Sequence, residues 1–233
     1  MEHVVAGSVG GIASILVCHP LDTVRVRLQT DPGCASAWEC AKKAGLRGLY
    51  RGLLGPVLAQ GAYKAILFGV YDFSKRRIGD SPAALFACGG LAGAANAVVL
   101  TPVELVRNKQ QTSSLSFREA LSFASYRGFG ATLCRDVPGV GAYYVAFEVL
   151  RGPAFWQNCV AGAAGGAAFW TIALPFDHIK NRLQVERRAT VLRILQDTSL
   201  PRLYVGYGSA LLRGIPGAAV VFGVYGLVID ALA

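Results

Sequence analysis

The chain has 233 residues, of which 53% are hydrophobic and 16% charged, and 23 Lys and Arg against 14 Asp and Glu leave it at +9. The apolar content excludes a disordered chain, and the lack of a glycine period of three excludes collagen. A charged fraction well below the roughly 25% of soluble domains leans towards the membrane, and 28 glycines suit helices that pack closely there.

Residues 3–29 predict the first long apolar helix, ending in His19-Pro20-Leu21-Asp22-Thr23-Val24-Arg25-Val26-Arg27-Leu28-Gln29. A short amphipathic connector over 35–46 leads to Tyr50-Arg51-Gly52 and a second helix over 53–76, which carries Tyr71-Asp72-Phe73-Ser74-Lys75 near its end. The order then repeats. A helix over 84–111 ends in Thr101-Pro102-Val103-Glu104-Leu105-Val106-Arg107-Asn108-Lys109-Gln110-Gln111. The shortest connector, near 116–125, leads to Tyr126-Arg127-Gly128 and a helix over 129–151 closing on Phe147-Glu148-Val149-Leu150-Arg151. The third round has a helix over 156–184 with Leu174-Pro175-Phe176-Asp177-His178-Ile179-Lys180-Asn181-Arg182-Leu183-Gln184, a connector over 190–196, Tyr204-Val205-Gly206, and a last helix over 207–231.

Each odd-numbered helix thus reads P-x-[DE]-x-x-[KR]-x-[KR]-x-Q, with glycines thirteen and nine residues before Pro20, Pro102 and Pro175. Such a threefold recurrence marks tandem repeats, drawn at 1–79, 80–152 and 153–233. Every helix exceeds the roughly 20 residues that cross a hydrocarbon core. Of the 23 Lys and Arg, 16 lie at the end that carries the proline motifs and four at the opposite end, a segregation typical of orienting loops and purposeless in a soluble helical repeat.

Asp22, Arg25 and Gln29 share one helix face. A proline inside a helix removes a hydrogen bond and bends it, so Pro20, Pro102 and Pro175 are expected to draw three charged helix ends together. Intramembrane charges are costly unless paired or wetted, so acids and bases on converging helices imply a ring of salt bridges. Replacing such pairs by solvated charges is nearly balanced in energy, and the ring is expected to act as a plug that opens.

On these motifs the chain resembles the mitochondrial carrier family over essentially its whole length. The resemblance implies an all-α membrane protein with six transmembrane helices in a threefold pseudo-symmetric barrel, monomeric and in the mitochondrial inner membrane, with a central site reached alternately from either side. It implies a matrix gate pairing Asp22 with Lys180, Arg25 with Glu104 and Arg107 with Asp177, braced by Gln29, Gln111 and Gln184. It also implies that Gly52, Gly128 and Gly206 begin helices whose amides bind cardiolipin phosphates. The chain departs from the family in its shorter length, in Ala44-Gly45 where Glu-Gly is usual, and in Gly226 and Ile229 where the third outer motif should have an acid and a base. Only Asp72, Lys75, Glu148 and Arg151 are left for a cytosolic gate, which predicts a weak outer closure and an empty carrier open to the cytosol.

Selectivity is expected where the repeats should match and do not. Nine residues after the repeat tyrosines stand Ala59, Arg135 and Arg213, followed by Gln60, Asp136 and Gly214. Arg135 and Arg213 suit a carboxylate, Asp136 an ammonium, and Tyr63 a quaternary ammonium by cation–π attraction. The Arg-Asp pair resembles the contact motif of amino-acid and carnitine carriers, which points to a zwitterionic amino acid or (acyl)carnitine-like metabolite as the small-molecule cargo. S-adenosylmethionine, a nucleotide or a carboxylate stay open as alternatives, as does a degenerate, non-transporting adaptor or proton leak. No enzyme is expected: neither Asp136, Cys134 nor the three histidines form a dyad or triad. The six cysteines have no metal or disulfide spacing, so no metal or cofactor is expected. Nucleic-acid binding is suggested only by +9, on residues that sit at helix ends. No cleavable signal peptide is expected before the first helix, and any organelle address would be internal.

Overall fold

The computed structural model describes residues 2–31, 33–34, 36–113, 115–122, 126–186, 188–214 and positions 217, 220, 224, 227 and 228. The described residues are all-α: α1 (Glu2–Thr30), α2 (Ala37–Leu49), α3 (Leu54–Ile78), α4 (Pro82–Thr112), α5 (Phe117–Ser122), α6 (Phe129–Leu150), α7 (Phe155–Val185), α8 (Val191–Asp197), α9 (Leu200–Leu203) and α10 (Tyr207–Leu212). Five long helices therefore match the first five expected from sequence to within two residues at each end. The sixth is described from Tyr207 to Leu212; Gly226 and Ile229 lie outside the described residues.

Burial is inverted relative to a soluble protein. The largest fully buried side chains include Lys180, Gln111, Gln184, Asn108 and Asn181, while Leu58, Phe68, Phe73, Val149 and Trp156 are exposed. An apolar exterior around a polar centre is the arrangement a bilayer demands. Residues 9–30 of α1, all of α4 and 156–185 of α7 are long and apolar enough to span, and α2 with α3, which meet at 83°, make a fourth, broken candidate. At 25 and 22 residues, α3 and α6 also have the length to span. The composition of α6 is diluted by Arg135 and Asp136, both buried against protein.

The helices run on through Pro20, Pro102, Pro138 and Pro175. Short helices begin on side-chain caps, Ser36 accepting from the Glu39 N–H and Thr190 from the Arg193 N–H. After α1 the chain turns at Asp31, whose carboxylate accepts from the Gly33 N–H at 2.9 Å; that bond holds it below the usual carboxylate range.

Glycine sets the close packing of α4, α6 and α7. A Cβ on Gly93 would stand 2.6 Å from the Asp136 carbonyl oxygen, one on Gly89 2.8 Å from that of Val140, and one on Gly165 3.0 Å from that of Tyr143. The backbones of these three helices touch, as small residues permit. By contrast Gly61 and Gly69 on α3 face open space.

Candidate functional site

Each repeat hands its Tyr-x-Gly corner to the next. Gly52, Gly128 and Gly206 have φ of +83°, +83° and +90°, a left-handed conformation that favours glycine. A Cβ at Gly52 would meet the Arg107 carbonyl oxygen at 2.9 Å, one at Gly206 the Arg25 Cγ at 2.9 Å, and one at Gly128 the Gln184 Cγ at 3.4 Å. The corners of repeats one, two and three therefore abut the motif helices α4, α7 and α1 in turn. His19 supports the first corner by its bond to the Arg51 carbonyl (3.0 Å), and Arg127 caps the end of α7 through the carbonyls of Leu183, Glu186 and Ala189 (2.6–3.1 Å).

This cyclic arrangement brings the motif charges to the centre. Lys180 donates to Glu104 at 2.8 Å and Arg25 pairs with Asp177 at 3.6 Å. Arg107 reaches Glu104 of its own helix at 3.5 Å, and Asp22 pairs with Arg213 at 3.5 Å. The partners expected from the resemblance, Asp22–Lys180, Arg25–Glu104 and Arg107–Asp177, are thus replaced, and two other side chains explain the change. The Arg25 guanidinium lies 4.2 Å over the Trp170 ring, which holds it against α7. Arg135 fills the space between α4 and α7, bonding Glu104 through both terminal nitrogens at 3.2 Å and Asp177 at 3.0 Å. Its Nε donates to Asp136 at 2.7 Å. Arg135 therefore bridges carboxylates from three helices, which only a forked, permanently charged group can do.

The other residues singled out from sequence lie nearby or apart as follows. Tyr63 on α3 is half-buried within electrostatic reach of Glu104, Arg107 and Arg135, and its hydroxyl has no hydrogen-bond partner among the described residues. Ala59 on the same helix is half-buried and adds no polar atom. At the opposite end, Lys75 donates to Glu148 at 2.7 Å across α3 and α6, while Asp72 pairs with Arg76 and Arg151 with Glu148, each within its own helix. One ion pair thus crosses between repeats there among the described residues. Tyr71 and Tyr144 stack beside it with centroids 3.5 Å apart, a contact the motif did not announce.

A second layer lies one turn towards the connectors. Gln29 accepts from Asn181 at 2.6 Å, Gln184 accepts from Asn108 at 2.7 Å, and Gln111 donates to Thr23 at 3.0 Å. Asn108 also donates to Asn181 at 2.7 Å. The three glutamines recur in the sequence and were legible. The asparagines were missed because the matching residue of repeat one is Val26.

Comparison with known proteins bears on this site. The profile of the family described as mitochondrial carrier protein matches residues 1–82, 79–154 and 151–233. The chain is similar to mitochondrial magnesium exporter 1 of Drosophila melanogaster, 33% identical over 94% of this chain and 90% of the relative. It is similar to the mitochondrial glycine transporter of Saccharomyces cerevisiae, 30% identical over 100% and 92% of the two chains. It also resembles the mitochondrial carnitine/acylcarnitine carrier protein of Homo sapiens, 27% identical over 95% and 91%.

Proposed function

The chain belongs to the mitochondrial carrier protein family, multi-pass proteins of the inner membrane, and from that premise we propose that it moves a zwitterionic amino-acid or (acyl)carnitine-like metabolite through a central site. The observation that carries this reading is the buried pair of Arg135 and Asp136 on α6, facing the acids of α4 and α7. An adjacent base and acid at mid-helix depth offer a fork for a carboxylate and a counter-charge for an ammonium. Arg213, held only at 3.5 Å by Asp22 and partly exposed, supplies a second carboxylate ligand. Tyr63, with its unpartnered hydroxyl, lines the same space together with Ala59.

In this reading the ring of Asp22, Arg25, Glu104, Arg107, Asp177 and Lys180 is the matrix-side gate, braced by Gln29, Gln111 and Gln184. The pair Lys75–Glu148, with Asp72 and Arg151 beside it, is the cytosolic gate. The corners at Gly52, Gly128 and Gly206 offer helix-start amides to the phosphates of cardiolipin, and the carrier works as a monomer. The relatives named for glycine and for carnitine transport carry cargo of the proposed class.

The test is a thermal-stability screen of detergent-purified protein with cardiolipin, since a ligand that binds only the folded state raises the melting temperature. Glycine and other amino acids, carnitines, S-adenosylmethionine, nucleotides, polycarboxylates and magnesium form the panel. A rise with a zwitterion that disappears in Arg135→Ala is the expected result. A rise only with nucleotides, polycarboxylates or magnesium overturns the cargo and keeps the carrier. Absence of any rise, joined to absence of uptake by liposomes, favours a non-transporting adaptor.

A further inference from the structure

The three seams between the motif helices are held very unequally. Between α4 and α7 run Lys180–Glu104, the Arg135 bridge from Glu104 to Asp177, and the bonds from Asn108 to Asn181 and Gln184. Between α7 and α1 run Arg25–Asp177 at 3.6 Å and the bond from Asn181 to Gln29. Between α1 and α4 no ion pair occurs among the described residues; Gln111 donates to Thr23, and Arg27 donates to the Gln111 carbonyl at 3.0 Å. The glycine-mediated contact of α4, α6 and α7 adds to the same asymmetry.

Resting on the gate reading above, we propose that Asn108 and Asn181 are positioning residues of the matrix gate. Their amide bridge keeps α4 and α7 together, so that the passage opens along the α1–α4 seam and α1 is the helix that moves. Both asparagines are fully buried. A buried amide left without its partner is costly, whereas ion pairs exchange for solvated charges at little net change. As the gate charges part and become wetted, the amide bridge is the last contact to yield. Asn181 also donates to Asp177 at 3.1 Å and so aims that carboxylate at Arg135 and Arg25. Repeat one has Val26 at this position, buried and without an amide of its own, so α1 joins the layer only through Gln29, which accepts from Asn181. The motif repeats three times, yet the device that holds its helices together occurs on two of them.

The spin-label measurement needs no cargo, so its outcome is independent of the substrate reading. Thr30, Thr112 and Val185 are equivalent positions ten residues after the three prolines, and all line one cavity at the matrix mouth. Spin labels are placed on cysteines at two of these positions at a time in liposome-reconstituted full chain, with the exposed Cys134 and Cys159 replaced by serine and the four buried cysteines kept. Dipolar broadening is compared between the native gate and Glu104→Gln/Asp177→Asn, which removes the ring's acids from α4 and α7. The expected result is loss of broadening for the 30/112 pair and its retention for the 112/185 pair, with the latter lost on adding Asn108→Val. Equal loss for both pairs before the asparagine is changed overturns the proposal, as does retention at 112/185 in the asparagine variant. If the double acid variant does not fold, a bismaleimide linker in the native-gate background decides: linking 30 to 112 is expected to abolish liposome exchange of whichever solute the chain carries. Linking 112 to 185 is expected to leave at least half of it. Equal block by both links, or block by 112/185 alone, refutes an α1–α4 opening. If no solute is exchanged, the 30/112 broadening of single Glu104→Gln decides in the same sense, and unchanged broadening there refutes it.

Discussion

Arg135 makes five hydrogen bonds of 3.2 Å or less to three carboxylates, and its replacement separates two roles. Arg135→Ala is expected to abolish uptake while the protein stays folded, because Glu104 keeps Lys180 and Asp177 keeps Arg25 and Lys180. Circular dichroism and a liposome uptake assay check both halves of that expectation. Arg135→Lys retains the charge and loses the fork, so recovery of much less than half the uptake is expected. Asp136→Asn is expected to weaken ammonium-bearing solutes about tenfold, the cost of one charge-assisted contact, and to spare plain carboxylates. Competition of each against the same labelled solute measures it, and unchanged preference removes Asp136 from the site. The identities of these residues were legible in the sequence, since a base–acid pair in an apolar helix has no cheap structural excuse. Their partners were not. Pairing depends on how far each side chain reaches once helices converge, and Trp170 beneath Arg25 cannot be read from a motif that omits it.

Helices were the most legible element, because each is a long apolar run closed by a proline motif or a Tyr-x-Gly corner. Residue-level packing between them was not, since a small-residue pattern does not say which helix will lie against it. Gly89 and Gly93 of α4 touch backbone of α6, whereas Gly162 and Gly166, the matching pair on α7, have nothing within 4 Å of a built Cβ among the described residues. Gly93→Ala is expected to destabilise the carrier by about 1–3 kcal/mol, since backbone of α6 has to shift. Gly69→Ala on α3 meets open space and is expected to leave stability unchanged or raise it by up to ~1 kcal/mol through helix propensity. Melting curves of the two variants in one detergent check the contrast. Comparable losses would mean that α4 and α6 do not approach as closely as their glycines imply.

At the scale of the whole molecule the two ends differ in how they are closed. The end with the proline motifs is tied by buried ion pairs over an amide layer, while the far end has, among the described residues, one crossing pair, Lys75–Glu148, in which the lysine is 25% and the glutamate 12% exposed. Loss of acid and base at Gly226 and Ile229 was legible from the third repeat alone, although both positions lie outside the described residues. The tyrosine stack that backs the surviving pair was not, because Tyr144 stands one turn before the motif. In the proposed cycle an alternating-access carrier spends time in proportion to the stability of each closed end. A partly exposed pair contributes on the order of 1 kcal/mol, so Lys75→Ala or Glu148→Gln is expected to lower the population closed to the cytosol about fivefold. Exchange should then slow by a similar factor at saturating solute, with apparent affinity from the cytosolic side unchanged or slightly improved, because the cytosol-open state becomes more populated. The charge swap Lys75→Glu/Glu148→Lys tests whether the crossing pair itself is responsible. It leaves Arg151 facing a lysine, so rescue to about half the native rate is the expected ceiling. A swap no faster than either single variant, with all three proteins equally folded, would shift outer closure to the Tyr71–Tyr144 stack, and Tyr144→Ala would then carry the larger defect.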